Sequence, residues 1–256
     1  MVIQSHVKLS YKNDFMIVRG DEVKMIHLSE INTVIIDSTQ VSLTSYLLCE
    51  FVKRKIKVIF CDEKRNPNSE LVPYYGAYNS SKKIKKQIAW NEEYAQGVWT
   101  QIVCQKILNQ SNLLKKYKFD SYEKLSGYVR EMEFFDSTNR EGHAAKVYFN
   151  ALFGKSFTRT DDLLINAALN YGYSILLSAF NREIVLNGYL TQLGLFHDNM
   201  FNQFNLASDL MEPFRPLVDR LVSHMTLVEF EHTQKMELVN LMNQEVIINE
   251  RCELIS

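Results

Sequence analysis

Apolar residues over roughly the first 76 positions come in short runs rich in β-formers. Val7-Lys8-Leu9, Phe15-Met16-Ile17-Val18, Val23-Lys24-Met25-Ile26 and Thr33-Val34-Ile35-Ile36 are parted by the turn residues Lys12-Asn13-Asp14, Arg19-Gly20-Asp21 and Ser29-Glu30. A helix is expected next, with Leu43, Tyr46, Leu47, Cys49 and Phe51 among its core positions. Lys57-Val58-Ile59-Phe60-Cys61 reads as another strand, Asn66-Pro67-Asn68 as a turn, and Leu71-Val72-Pro73-Tyr74-Tyr75 as a final extended piece. Near Asn79-Ser80-Ser81 the spacing of apolar positions changes to threes and fours and stays so. The expected class is therefore α+β. A small β-rich N-terminal domain, residues 1–78, precedes a larger all-α C-terminal domain, residues 79–256.

In the helical part, one long helix is expected to open at Lys82, Lys83, Lys85 and Lys86 and to run through Trp90, Tyr94, Trp99, Val103 and Ile107. Lysines at a helix start oppose the macrodipole, so either a bound polyanion or plain solvation accounts for them. Lys115, Lys116 and Lys118 form a second cluster, expected in a loop. Leu163 to Phe180 is the most apolar run, interrupted by Asn166, Asn170, Ser174 and Ser178 at four-residue spacing and by Gly172. That pattern fits a core helix with a small, polar packing seam and not a membrane span.

The helix within Asp136–Phe153 carries the first candidate chemistry. Glu141, Ala145, Tyr148 and Leu152 fall on one face, so a carboxylate heads an apolar stripe. Such a group must be paired, hydrogen-bonded or holding a cation. Thr138-x-x-Glu141 also fits a capping box, which needs no ligand. His143, Lys146 and Asn150 form a polar face that could meet water or phosphate. Asp209-x-x-Glu212, followed by Pro213, reads as a second helix start of the same kind, and Gly188 and Gly194 bracket the segment before His197.

Composition limits the choices. The 256 residues carry a net charge of −1, so nucleic-acid binding requires a local basic surface. The cysteines Cys49, Cys61, Cys104 and Cys252 are scattered, without a Cys-x-x-Cys pair, and read as reduced thiols of a cytoplasmic protein. No secretory signal pattern opens the chain. Asp62 and Glu63 read as a solvated strand end.

Three stretches gain meaning together. Asn139-Arg140-Glu141-Gly142-His143-Ala144-Ala145, then Gly194-Leu195-Phe196-His197, then Asp209-Leu210-Met211-Glu212-Pro213-Phe214-Arg215-Pro216 resemble the motifs of the CRISPR-adaptation integrases, the Cas-one family. His27-Leu28-Ser29-Glu30-Ile31, Val58-Ile59-Phe60-Cys61-Asp62 and Gln105-Lys106-Ile107-Leu108-Asn109-Gln110 resemble its branch that accompanies Cas9-type (type II-A) effectors. The resemblance spans nearly the whole chain and implies a β-rich domain followed by a helical one. It implies that Glu141, His197 and Glu212 bind Mg²⁺ or Mn²⁺, with Asp209 as an accessory acid. Carboxylates suit hard cations, and an imidazole suits Mn²⁺ better than Mg²⁺.

Arg140, Lys146, Arg215 and the Lys82, Lys83, Lys85, Lys86 cluster are the implied DNA contacts. The implied reaction is metal-dependent insertion of a short duplex spacer into a repeat array, by 3′-hydroxyl transesterification. A homodimer is implied, two of which flank a dimer of the small companion protein Cas-two in a heterohexamer. The effector nuclease and a further adaptation factor are implied as additional partners, and no membrane is involved. Two alternatives stand beside this reading: a catalytically inactive DNA-binding scaffold and a stand-alone metal-dependent nuclease. Many family members carry Asp where Glu212 stands. Members usually also run on beyond Glu250-Arg251-Cys252-Glu253-Leu254-Ile255-Ser256, which reads here as an unfinished helical region.

Overall fold

The computed structural model describes residues 1–74, 77–248 and 251–254, and the chain divides into two compact units. The first comprises Met1–Ser80 with Val185–Gly188; the second comprises Ser81–Ile184 and the segment from Tyr189 onward.

The first unit holds two small sheets. Strands β1 (Val2–Ile3), β2 (Lys8–Lys12), β3 (Phe15–Arg19), β4 (Val23–His27), β5 (Thr33–Ile36) and β6 (Ser42–Leu43) are followed by helix α1 (Ser45–Lys53), then β7 (Lys57–Cys61) and β8 (Pro67–Glu70). One sheet has the order β1-β5-β7-β8, parallel except for its last pair; the other, β4-β3-β2-β6, is built on an antiparallel meander. Residues of alternating burial explain the fit: Leu9 and Met16 in the meander and Val34 and Val58 in the other sheet meet Leu47 and Phe51 of α1 in one core.

Two expectations for this unit change. Pro67-Asn68 does not turn the chain but starts β8, an edge strand, where proline sacrifices no needed ladder donor. The reversal lies earlier, at Asp62–Asn66, because the Asp62 carboxylate accepts from the amides of Lys64 and Asn66 at 2.9 Å each. The extended piece expected at 71–75 is not a strand over Leu71–Tyr74, and Tyr75 lies outside the described residues.

The second unit is helical through most of its length. Helices α2 (Ser80–Ile88), α3 (Glu92–Lys116), α4 (Tyr122–Arg130), α5 (Arg140–Phe153), α6 (Leu164–Leu186), α7 (Asn205–Leu210), α8 (Arg215–His224) and α9 (His232–Val239) precede a hairpin of β9 (Glu245–Ile248) and β10 (Arg251–Leu254). The expected single helix from Lys82 to Ile107 is two, because Asn91 adopts extended backbone and its side chain caps the Glu93 amide at 2.9 Å. Of the four lysines, Lys85 and Lys86 thus occupy the last turn of the short α2, where positive charge is favourable. Lys115 and Lys116 likewise end α3 rather than lying in a loop. The tail, expected as helical, forms strands instead: the β-branched run Val246-Ile247-Ile248 favours extended backbone and pairs with Arg251 to Glu253.

Helix α3 is the axis of this unit. Its buried residues Trp99, Val103, Ile107 and Leu114 pack with Leu125 of α4 and with Ala144 and Tyr148 of α5. Along α6, Gly172 is the point of closest packing: a Cβ there would stand 2.4 Å from a methyl of Val218. The expected seam is real but partial, since Asn166 and Ser178 are buried while Ser174 is half-buried and Asn170 exposed. Among the described residues no helix is long and apolar enough to cross a membrane.

One buried acid underlies α5, α6 and α8. Asp219 of α8 accepts from Tyr148 Oη at 2.9 Å and from Tyr173 Oη, and burial pushes its carboxyl up to about 6. A raised carboxyl pKa means that the folded chain binds the proton more tightly than the unfolded chain. The resulting stabilisation is complete below the unfolded value of 3.8 and is lost as the pH rises through 6. Asp219→Asn should therefore gain on the wild type by about 2 kcal/mol between pH 4 and 7. Urea unfolding of both proteins across that range checks this; parallel pH profiles would show that Asp219 titrates normally.

Candidate functional site

By sequence Glu141 has two possible roles, and its local structure removes the simpler one. Asn139, in left-handed backbone, is the N-cap of α5 and accepts from the Gly142 amide at 3.2 Å. The Asp136 carboxylate accepts from the amides of Arg140 at 2.6 Å and Glu141 at 3.0 Å. The first turn is therefore capped by residues ahead of it, and the Thr138 hydroxyl takes no part. The Glu141 side chain is not a capping-box partner. It reaches across to α3, where its Oε1 lies 2.5 Å from Lys106 Nζ.

Glu212 meets the same ammonium. It starts a 3₁₀ turn, Glu212–Phe214, that leads directly into α8, and it is 3% exposed. Its Oε2 lies 2.5 Å from Lys106 Nζ, an ion pair whose angles do not make a hydrogen bond. Its Oε1 lies 3.0 Å from Arg215 Nε, and the Arg215 guanidinium stacks 4.6 Å from the Tyr173 ring centre. The two carboxylates thus come within about 5 Å of each other, from elements 71 positions apart in sequence, with one cation between them. Lys106 is 8% exposed. Burial by itself would lower the pKa of its ammonium, but Glu212 and Glu141 outweigh it and raise the value above normal. The Asn109 side chain, one turn further along α3, donates to the Pro213 carbonyl at 2.8 Å and ties the helix to the Glu212 turn.

Asp209 was expected near an N-cap of the last motif. It lies instead inside α7, fully buried, and its carboxylate organises the preceding loop. It accepts from the amides of Leu195 at 2.5 Å, Phe196 at 3.1 Å and His197 at 3.2 Å, and lies 2.5 Å from His197 Nδ1. This hydrogen bond to Asp209 is the main reason that the His197 pKa is raised, against partial burial and with help from Glu212. With Nδ1 held by a carboxylate, Nε2 is the nitrogen directed to a ligand. Gly194 permits the arrangement, because a Cβ there would lie 2.3 Å from the His197 carbonyl and 2.8 Å from Asp209 Oδ2. Trp99 of α3 supports the loop from the other side, stacked on Phe196 at 4.3 Å and edge-on to His197 at 5.9 Å.

The structure therefore joins Glu141 to Glu212 and Asp209 to His197. Among the described residues no three His, Cys, Asp or Glu side chains form a ready-made metal cage. The donor set nevertheless fits a cation: two carboxylates already share a positive charge, Glu212 Oε2 is buried without a hydrogen-bond partner, and His197 has one nitrogen fixed by an acid. The amides of Arg140, Glu141 and Gly142 in the first turn of α5 are taken by Asp136 and Asn139.

The basic residues divide into engaged and open ones. Arg140 pairs with Glu131 at 3.0 Å and lies over Tyr128; Arg215 is held by Glu212 and Tyr173. Lys146, Lys82, Lys85 and Lys86 are exposed, and Lys83 lies 5.4 Å from the Tyr189 ring. Lys106 is the residue that the sequence reading passed over. Its signal was present: Trp99, Val103, Lys106 and Gln110 recur at helical spacing, which puts a lysine on the buried stripe of α3.

Asp209→Ala would leave three inward amides and an imidazole without their acceptor. It should destabilise the chain by about 3–5 kcal/mol, as loss of one partner in a buried charged network does. Urea unfolding at pH 7 measures this, and a loss below about 1 kcal/mol would mean that the His197 loop is held by other contacts.

The family model "CRISPR associated protein Cas1" matches residues 1–250. The CRISPR-associated endonuclease Cas1 of Neisseria meningitidis serogroup C (strain 8013) is 37% identical over 227 residues, covering 88% of this chain and 75% of the relative. Among solved structures, a chain of a Cas6-RT-Cas1--Cas2 complex superposes with a TM-score of 0.67 and 25% identity over 87% of this chain, which spans 27% of that longer chain. A casposase bound to integration product shares the fold, with a TM-score of 0.76 and 18% identity over 100% of this chain and 86% of its own.

Proposed function

This chain belongs to the Cas1 family of CRISPR-associated proteins, and on that premise we propose that it is a metal-dependent DNA endonuclease and integrase of CRISPR adaptation. The observation that carries the reading is the meeting of Glu141 and Glu212 on one ammonium, that of Lys106, with an imidazole oriented by Asp209 near enough to Glu212 to feel its charge. A relative named as a Cas1 endonuclease and the fold shared with a casposase bound to integration product support it.

Glu141, Glu212 and His197 would hold Mg²⁺ or Mn²⁺. When bound, such an ion supplies Lewis acidity toward a phosphoryl oxygen and favours the ionised form of an attacking hydroxyl. The chain's own residues do the rest. Asp209 fixes the tautomer of His197 by accepting from Nδ1, which would leave Nε2 as a neutral donor for the ion. Arg215 holds one oxygen of Glu212 and is itself steadied over Tyr173, which limits the rotamers of the glutamate. Burial of Glu212 keeps water from competing for it.

The reaction is transesterification. The 3′-hydroxyl oxygen of a short duplex forms a bond to a backbone phosphorus at the edge of a repeat, and the bond from that phosphorus to its former 3′-oxygen breaks. The attacking hydroxyl loses a proton and the leaving oxygen gains one. One phosphodiester replaces another, so no external energy source is required.

Lys146 and the lysines of α2 are exposed and supply sequence-independent contacts to duplex DNA, which weaken steeply with salt. The companion protein Cas2 is the proposed partner, as in the Cas6-RT-Cas1--Cas2 complex that the chain resembles; homodimerisation belongs to the same proposal.

The test uses Mn²⁺ and a branched DNA carrying a displaced strand with a free 3′-hydroxyl. Wild type should rejoin the strand only with metal, and Glu141→Ala should lose at least about 10²-fold in rate. Denaturing gels read the products. Cleavage without rejoining would establish a stand-alone nuclease instead, and equal rejoining by Glu141→Ala would remove that residue from the chemistry.

A further inference from the structure

Lys106 has no place in the chemistry above, yet it occupies the centre of the site. Its ammonium stands 2.5 Å from a carboxylate oxygen of Glu141 and 2.5 Å from one of Glu212, in a nearly closed environment. The hydrogen bond from Asn109 to the Pro213 carbonyl fastens its helix to the Glu212 turn, so the lysine backbone cannot drift away. Its side chain is the mobile part, a flexible four-carbon stem ending in a point charge. Arg215 supplies a second positive charge at the other oxygen of Glu212. Two carboxylates are thus already balanced by two cationic side chains. A divalent ion entering this space must displace the ammonium, which stays tethered nearby, so the four side chains and the ion together carry two surplus positive charges. A backbone phosphate beside the ion offsets part of that surplus.

We propose that Lys106 is a tethered counter-ion that makes metal binding conditional on DNA. Without substrate the ammonium holds the place between Glu141 and Glu212 and opposes a divalent cation. With a phosphate at the site, the displaced ammonium finds a new anionic partner in a non-bridging phosphate oxygen, and the ion enters between the carboxylates. Metal and DNA then strengthen each other's binding by the same factor, as thermodynamic linkage requires. The device keeps a phosphodiester-attacking site unloaded until DNA is present. The inference rests on the metal-dependent reading of Glu141, Glu212 and His197.

The experiment is isothermal titration of Mn²⁺ into the intact chain, with and without a double-stranded oligonucleotide, for the wild type, Lys106→Met and Lys106→Arg. Wild type should bind Mn²⁺ weakly alone and at least about 10-fold more tightly with the duplex. Lys106→Met should bind Mn²⁺ at least about 10-fold more tightly than wild type without DNA, and should gain little from the duplex. Lys106→Arg, which keeps the charge, should resemble wild type. The melting temperature in chelator should fall for Lys106→Met and recover on adding Mn²⁺, because the two carboxylates are then left facing each other until the ion arrives.

Equal or weaker Mn²⁺ binding by Lys106→Met without DNA overturns the proposal, as does an undiminished gain from the duplex. Absence of Mn²⁺ binding in every protein, with and without DNA, overturns the metal-dependent reading as well, so the two failures are distinct. Should Lys106→Met not fold, the ammonium resonance of Lys106 in ¹⁵N-lysine-labelled wild type decides: it shifts when Mg²⁺ and duplex are added together, and an unmoved signal overturns the proposal.

Discussion

Two carboxylates within about 5 Å of each other, one of them buried, stay ionised only with a cation between them, and the helical unit is arranged around that constraint. Glu141 enters from the first turn of α5 and Glu212 from the turn before α8, and α3 supplies Lys106 between them. Each supporting feature keeps the three elements in register. Trp99, Val103 and Ile107 bind α3 to α4 and α5; Asn109 binds it to the Glu212 turn. A hydrophobic core alone would tolerate small slips of these helices. The ion pairs do not, because removing one partner leaves an unpaired buried charge.

A second constraint sits beside the first. A loop that must place an imidazole on the edge of a core carries backbone amides with no helix or strand to satisfy them. Asp209 satisfies three at once and also takes the ring nitrogen of the same histidine. The loop is thereby as fixed as a secondary-structure element, and His197 presents one nitrogen in a defined direction. Behind both constraints, Asp219 binds the hydroxyls of Tyr148 and Tyr173, and Tyr173 in turn carries the Arg215 guanidinium that holds Glu212. A chain of polar contacts thus links the buried Asp219 to the carboxylate of the candidate centre.

Much of this architecture was legible beforehand. Short β-branched runs with turn residues between them gave the strands of the first unit, and three-and-four spacing gave the helices, because both signals are local. Boundaries were less legible where one residue decides them. Asn91 divides an otherwise continuous helical pattern by adopting extended backbone, and Pro67 is harmless in an edge strand although it resembles a turn residue in isolation. The tail Val246-Ile247-Ile248 could serve a helix or a strand by pattern, and its pairing with Arg251 to Glu253 settled the matter.

By itself, the sequence determined the α+β class, the helix within Asp136–Phe153 that bears Glu141, and the order of the three motifs. Those depend on periodicity, on backbone preference and on residue types in fixed spacing. Only the tertiary structure decided what the motif residues touch. Capping boxes at Glu141 and Glu212 were sound local readings, yet Asp136 and Asn139 cap α5 and free Glu141 to meet Lys106, 35 positions away. Asp209 likewise became the anchor of the loop that precedes its helix. The reason is physical: a cap is satisfied by neighbours along the chain, whereas a buried charge is satisfied by whatever opposite charge the packing brings to it.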